Sequence, residues 1–395
     1  MKILWVNTGF LHPTTKGGQI RTLEMLRRLH ARHEVHYAAP AHPEEPEGPA
    51  RASEYCSKAH AVVFRPARKP SPAFAFELAR GLFSKLPVSI FRWSCPAFRA
   101  LVADLLRREV FDCVVCDFLV SAVHFDSLER CVLFQHNVET MLWRRLAESA
   151  SNPVSRFYLR RQAERMFEYE AQACRGARHV VTVSEVDAEL IGSMYGVSDV
   201  SAILTGVDLD YFRPPETAQP ETDLVFIGSM DYLPNIDGVR YFVDRILPLI
   251  RRRRPECSLT VAGRRPGPEI RALAEADPRI RVTGTVDDVR PYLWDARVSI
   301  VPLRSGGGTR LKIYESMAAG RPVVSTAVGA EGLPVHPARD ILLADDPEAF
   351  AEACLSLLEH PDRRQALAAT ALEMVSANFS WEQIVTQFEE VLRRV

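Results

Sequence analysis

An apolar run, Val298-Ser299-Ile300-Val301-Pro302-Leu303, leads into Gly306, Gly307 and Gly308, and then into a segment whose Leu311, Tyr314 and Ala318 share one helical face. Strand, glycine turn and helix in that order constrain this chain more than any other feature. A strand without polar alternation is buried on both faces, and such strands belong to parallel sheets whose crossovers are helices. The same grammar opens the chain. Ile3 to Val6 reads as a buried strand, Asn7 to Gly18 as a long loop with Gly17-Gly18 at its end, Gln19 to Ala31 as an amphipathic helix, and Glu34 to Ala39 as the next strand. Further strands are expected near Cys113 to Phe118, Cys131 to Gln135 and Val180 to Ser184. A charged surface helix is expected over Arg156 to Arg175.

At 395 residues the chain is too long for one ordinary core. The break falls near Gly206, where Val207 to Thr222 reads as a linker rich in proline and polar residues. Asp208-x-Asp210 in that linker is too sparse for a metal site. A second β-α-β series follows, with strands at Leu224 to Gly228, Ser258 to Ala262, Ile280 to Val282 and Pro322 to Thr326. Helices are expected at Asn235 to Arg254, Glu269 to Ala276 and over Pro347 to Val395. The expected class is α/β, with residues 1–205 as one Rossmann-like domain and 206–378 as another. Two open parallel sheets imply a cleft where strand C-termini face each other.

The glycine stretch carries the chemistry. Glycines let backbone N–H groups approach an anion, and the helix N-terminus adds unpaired donors and the positive end of its dipole. Lys312 lies in the first turn and Glu315 three residues on, so a cation for phosphate and a carboxylate for hydroxyl groups share a face. That pairing suits a sugar nucleotide. The G-x-G-x-x-G of dinucleotide binders is absent. His136 follows a strand at the end where open α/β sheets place ligand groups, although an isolated histidine there is as readily structural.

Charge is uneven. Arg51 to Arg108 holds 11 basic and 3 acidic residues, mixed with Phe74, Phe76, Phe83, Phe91, Trp93 and Phe98. This is either a solvated face over core aromatics or a surface for an anionic membrane or lipid-phosphate acceptor; no nucleic-acid motif accompanies it. Eight cysteines in a chain with no recognisable export signal or transmembrane run point to reduced structural thiols in the cytoplasm. Cys113 and Cys116 fall on opposite faces of a strand and cannot chelate together.

With these residues in order, the sequence resembles the GT-B-fold glycosyltransferases, specifically the large retaining family 4. The carriers are Gly17-Gly18, Phe134-Gln135-His136-Asn137, Val183-Ser184, Gly206-Val207-Asp208 with Tyr211-Phe212, Phe226-Ile227-Gly228, Phe379-Ser380-Trp381 and, above all, Gly308 to Val324. The resemblance implies two Rossmann-like domains across a cleft, with a C-terminal helix, about 379–395, crossing back to the N-terminal domain. It implies a nucleotide diphosphate sugar, UDP- or GDP-linked, in the C-terminal domain and a glycan or lipid-linked acceptor in the N-terminal one. Glu315 matches the family's ribose-binding glutamate and His136 its active-site histidine. Lys312, Arg310, Leu311 and the amides of Gly306, Gly307, Gly308 and Thr309 would hold the diphosphate. Gly17, Gly18, Gly228, Ser229 and Arg264 complete the donor site, and backbone around Thr285 and Val286 meets the base.

Two departures bear on this. The family's second glutamate, eight positions before the first, is Gly307 here. Its Gly-Arg and Lys-Gly cations are replaced by Gly228-Ser229 and by Asn235-Ile236-Asp237-Gly238. The positive charge is therefore expected to have moved to Arg310 and Lys312, with Arg264 or Arg304 as additions. The implied activity is a metal-independent, retaining hexosyltransferase of bacterial surface-polysaccharide or glycolipid synthesis, cytoplasmic and peripheral at the inner membrane face through 51–108, needing no cofactor beyond its donor. The alternatives are a non-catalytic GT-B binder of glycan or nucleotide, motivated by Gly307 and the missing cations, and a sugar-nucleotide epimerase, for which no acid/base carboxylate pair is identifiable.

Overall fold

The computed structural model describes residues 1–14, 17–68, 70–150, 152–214, 216, 220–305 and 311–395. The chain forms two compact units, Met1–Leu204 with Ile384–Val395, and Thr205–Gln383.

The N-terminal unit is built on seven parallel strands: β1 (Lys2–Val6), β2 (Glu34–Ala41), β3 (Lys58–Val63), β4 (Cys113–Asp117), β5 (Cys131–Phe134), β6 (His179–Thr182) and β7 (Val200–Ala202). Their order is β3-β2-β1-β4-β5-β6-β7, so the winding direction reverses between β1 and β4. Helices cover both faces, which is why β4 and β5 are buried along their whole length. The helix Gly17–His30 supplies Leu23, Leu26 and Leu29 to this core from one stripe. The charged helix expected over Arg156 to Arg175 is Pro153–Gly176, and it is more than a solvated surface element. Gln162, Met166, Glu170 and Cys174, at helical spacing, are buried on the face that meets the unit's core. Residues Ile384–Val395 of the last helix, Trp381–Arg394, belong to this unit, with Phe388 5.7 Å from the Trp5 ring and Leu392 accepting the thiol of Cys113.

The second unit has six parallel strands: β8 (Thr222–Ile227), β9 (Leu259–Ala262), β10 (Ile280–Val282), β11 (Ala296–Val301), β12 (Val323–Ser325) and β13 (Leu342–Leu343). The order β10-β9-β8-β11-β12-β13 reverses between β8 and β11. The single helix expected from Asn235 is interrupted. It runs Leu233–Tyr241, widens into a π turn at Phe242–Ile246 and resumes at Leu247–Arg253. Pro248 explains the break, because it has no N–H to continue the ladder.

All eight cysteines are buried free thiols. Among the described residues no helix is long and apolar enough to cross a membrane. The basic aromatic stretch divides: Phe98 is fully buried, whereas Phe76 and Phe83 are 63% and 92% exposed.

The β8 and β9 ends approach each other where only glycine fits. A Cβ on Gly263 would stand 1.8 Å from the carbonyl oxygen of Gly228. Gly263→Ala is expected to cost about 1–3 kcal/mol of stability, measured by denaturant unfolding; a wild-type midpoint would show that the loops yield freely.

Candidate active site

In the second unit, polar chemistry gathers where β8 and β11 end, at the reversal of strand order. The Lys312 ammonium lies 4.3 Å from the Phe226 ring centroid and donates to Asn235 Oδ1 at 2.8 Å. Asn235 Nδ2 in turn donates to the Ser229 carbonyl at 2.9 Å. A Cβ on Gly228 would come 2.8 Å from Lys312 Nζ, so the glycine makes room for the cation. Arg264 donates to Ser229 Oγ at 2.9 Å and faces Asp231 at 3.4 Å. Arg304 is instead held by both oxygens of Asp237 and lies over the Tyr241 ring.

The helix Leu311–Ala318 carries Lys312 and Glu315 and is fixed from behind. Ser316 bonds Ser299 on β11 at 2.8 Å, and Tyr314 stacks on Phe379 at 4.5 Å. Glu315 keeps partial surface exposure, yet the protein packed around its carboxyl pushes its pKa up to about 7, with Lys312 pulling the other way. Its charge also reaches Tyr211, over whose ring Arg290 lies at 3.9 Å. Thr285 is exposed and Val286 half-buried in the loop after β10. Leu311 is the first residue of its helix, whereas Gly306, Gly307, Gly308, Thr309 and Arg310 lie outside the described residues.

The N-terminal unit has its own polar cluster at the β1/β4 reversal. Asp117, fully buried at the end of β4, accepts at Oδ2 from Trp5 Nε1 (3.0 Å), Asn7 Nδ2 (2.8 Å) and Thr22 Oγ (2.9 Å). Its Oδ1 lies 2.7 Å from His136 Nε2. The three donors occupy Oδ2 and leave Oδ1 to His136; the pairing as Nε2–H to Oδ1 leaves Nδ1 as an acceptor. Burial lowers the His136 pKa more than Asp117 raises it. Phe118 adopts φ 65°, a conformation that costs a non-glycine residue about 1–3 kcal/mol, and stacks on the imidazole at 3.8 Å and 9°. Gly18, in the first turn of its helix, leaves room for that ring; a Cβ there would meet Phe118 at 2.7 Å. Gly17 begins the same helix. Arg21, buried and 4.7 Å from the Phe134 ring, has its pKa drawn down by burial to about 9 and stays charged at neutral pH.

Thus Lys312, Glu315, Gly228, Ser229 and Arg264 lie in the second unit, the first, third and fourth in direct contact through Asn235. Gly17, Gly18 and His136 lie in the N-terminal unit. Sequence reasoning missed Asp117 and Phe118 as site residues and gave Asn235 only as a replaced family cation. The available signal was an aspartate ending an otherwise apolar strand, C-V-V-C-D.

Two doubly wound units, each with polar groups at a strand-order reversal, define the GT-B class. The structure aligns over 100% of both chains with an Anabaena protein, Alr3699/HepE, solved in complex with UDP, at a TM-score of 0.71 and 14% identity. Residues 15–211 match the family described as Glycosyltransferase Family 4, and residues 221–360 the one described as Glycosyl transferases group 1. The chain belongs to the family 4, or group 1, glycosyltransferases. It is 29% identical over 216 residues to a lipopolysaccharide core biosynthesis mannosyltransferase of Rhizobium meliloti, covering 49% of this chain and 61% of that one. It is 30% identical over 254 residues to a D-inositol 3-phosphate glycosyltransferase of a Nocardioides species, covering 57% and 55%. The chain thus spans little more than half the length of these curated relatives.

Asp117→Asn removes the charge facing His136 Nε2, and nitrogen-15 shifts of His136 are expected to lose the Nε2–H tautomer. Unchanged shifts would leave Asp117 without influence on the imidazole.

Proposed function

We propose that the protein is a retaining glycosyltransferase that moves a hexose from a UDP- or GDP-linked donor onto a hydroxyl of a glycan or lipid-linked acceptor, in bacterial surface-polysaccharide or glycolipid synthesis. One observation carries this reading: Lys312 stands against Gly228 and Asn235, at the strand ends where the family's usual cations are replaced, with Glu315 one turn further along. The relatives' names, a mannosyltransferase and an inositol-phosphate glycosyltransferase, and the UDP of the structural neighbour support the substrate class.

In this mechanism the acceptor hydroxyl attacks the anomeric carbon on the face from which the diphosphate departs. The new C–O bond forms as the bond to phosphate breaks, and a phosphate oxygen takes the hydroxyl proton. Lys312, aided by Arg264 and the end of the Leu311–Ala318 helix, stabilises the charge growing on the leaving group, so the step draws on protein cations rather than a divalent metal. Glu315 accepts from the two ribose hydroxyls, and His136 orients the transferred sugar.

Lys312→Ala should lower transfer about tenfold or more, from the loss of one charged hydrogen bond, while Glu315→Ala mainly raises KM for the donor. Wild-type kinetics in both would refute this site. The pH dependence has a definite sign. Glu315 must lose its proton to accept two donors, and its folded pKa is raised to about 7. Binding of uridine or guanosine, which lack phosphate, should therefore weaken as pH falls below about 7, approaching tenfold per unit. Glu315→Gln should abolish the dependence. The same raised pKa means that the folded state holds this proton while the unfolded state releases it near 4.5, so the group's contribution to stability falls as pH rises between the two values.

The membrane contact rests on Phe76 and Phe83, exposed beside Arg80, whose guanidinium lies 5.9 Å from the Phe76 ring. Phe83→Asp should weaken sedimentation with phosphatidylglycerol vesicles about fivefold or more. Equal binding by the variant, or none by the wild type, would remove the membrane from the account.

A further inference from the structure

His136 lies in the segment 135–140, which runs from the end of β5 into the first turn of the helix Glu139–Ser149. The first N–H groups of a helix have no partner within it, and Val138, the residue before this one, has no side-chain oxygen to offer them. A carboxyl group from elsewhere in the chain takes that place. Glu170, fully buried in the helix Pro153–Gly176, accepts from the Glu139 amide at Oε1 (2.9 Å) and from the Thr140 amide at Oε2 (2.8 Å). Oε1 also accepts from Gln135 Nε2 at 3.2 Å. Tyr195 Oη, buried behind the carboxyl, lies 2.7 Å from Oε2 and 2.9 Å from Thr140 Oγ1. One side chain therefore grips the chain on both sides of His136, through the residue before it and through the helix start after it.

Packing alone does not ask for such a group. Met166 and Cys174, one turn before and one turn after Glu170, are buried on the same helical face, and an apolar side chain between them would fill the space without desolvating a carboxyl. Burial pushes the Glu170 pKa up, and the hydrogen bonds from Thr140, Tyr195 and the Glu139 amide oppose that rise. What the carboxyl contributes is geometry. Asp117 and Phe118 meet the imidazole itself, whereas Glu170 holds the main chain that carries it. A ring restrained only at its tip still shifts with its backbone, so the two restraints together fix its place. We propose that Glu170 is a positioning residue for sugar transfer: it touches no substrate and acts by fixing the segment 135–140, and with it the His136 imidazole. This rests on the reading of His136 as the residue that orients the transferred sugar.

Nitrogen-15 spectra of His136, and release of nucleotide from UDP-glucose and GDP-mannose, test this on the full chain. Glu170→Gln keeps the size of the side chain and exchanges one acceptor oxygen for an amide nitrogen. It should shift the His136 signals and lower kcat about tenfold or more, with the donor KM within about twofold of wild type. In a His136→Ala background the same substitution should cost less than about twofold, because residues that act through one another are not additive. Tyr195→Phe covers the case in which Glu170→Gln does not fold: it takes one hydroxyl from the network, and should move the same signals and lower kcat about threefold. His136 signals unmoved in these variants would overturn the proposal. So would a Glu170→Gln loss that is equal with and without His136, which refutes the positioning role alone. Wild-type release by His136→Ala would instead refute the reading of His136, and the positioning role with it.

Discussion

A parallel sheet covered on both faces leaves one place for polar chemistry, the carboxyl ends of its strands, and both units of this protein obey that constraint. Asn7, Asp117 and His136 follow or end β1, β4 and β5, and Gly228 and Lys312 flank the ends of β8 and β11. The strands are largely apolar, and a buried carboxylate such as Asp117 is satisfied by four partners at once. The same condition accounts for the paired fixings at each site. His136 is held by Asp117 and by the strained Phe118, and Lys312 by Asn235 and the face of Phe226.

The displaced cation follows from this geometry. With Ser229 and Asn235 at the β8 end, the loop lacks its own positive charge. The first turn of the Leu311–Ala318 helix reaches the same point from the neighbouring strand, and Gly228 gives its ammonium space. Asn235 supplies a neutral acceptor to Lys312, whose charge also acts on the Glu315 carboxyl. Arg264 adds charge at Ser229, partly offset by Asp231, whereas Arg304 is committed to Asp237. Among the described residues, Lys312 and Arg264 are the suggested cations at these strand ends, and Arg310 lies outside the described residues.

Most of the architecture was legible because buried strands announce themselves as apolar runs: Ile3 to Val6 falls within β1, and the runs Leu224 to Gly228 and Val298 to Leu303 overlap β8 and β11, each extending one or two residues past the strand's end. Of the edge strands, β10 was legible, at Ile280 to Val282, and the others were not. β3, with alternating exposed residues, β7, half-buried throughout, and the two-residue β13 carry too little apolar signal. Lys312 in a helix's first turn, Glu315 three residues on and His136 just past a strand were readable as candidates, and the family resemblance supplied the roles of Glu315 and His136. Their partners were not, because Asp117 lies 19 residues from His136 and Asn235 lies 77 from Lys312, and only the sheet order brings them together. Trp93 and Phe98 were visible as members of a basic aromatic stretch, but which of them faced a cavity and which the core depended on packing.

The central claim is that Lys312 and Glu315 form the two ends of one nucleotide site. A crystal structure of the chain with UDP or GDP tests it most directly. The account predicts a phosphate oxygen within about 3 Å of Lys312 Nζ and both ribose hydroxyls on the Glu315 carboxylate. A well-ordered nucleotide bound elsewhere, or one whose ribose leaves Glu315 unpaired while its phosphates avoid Lys312, would contradict it.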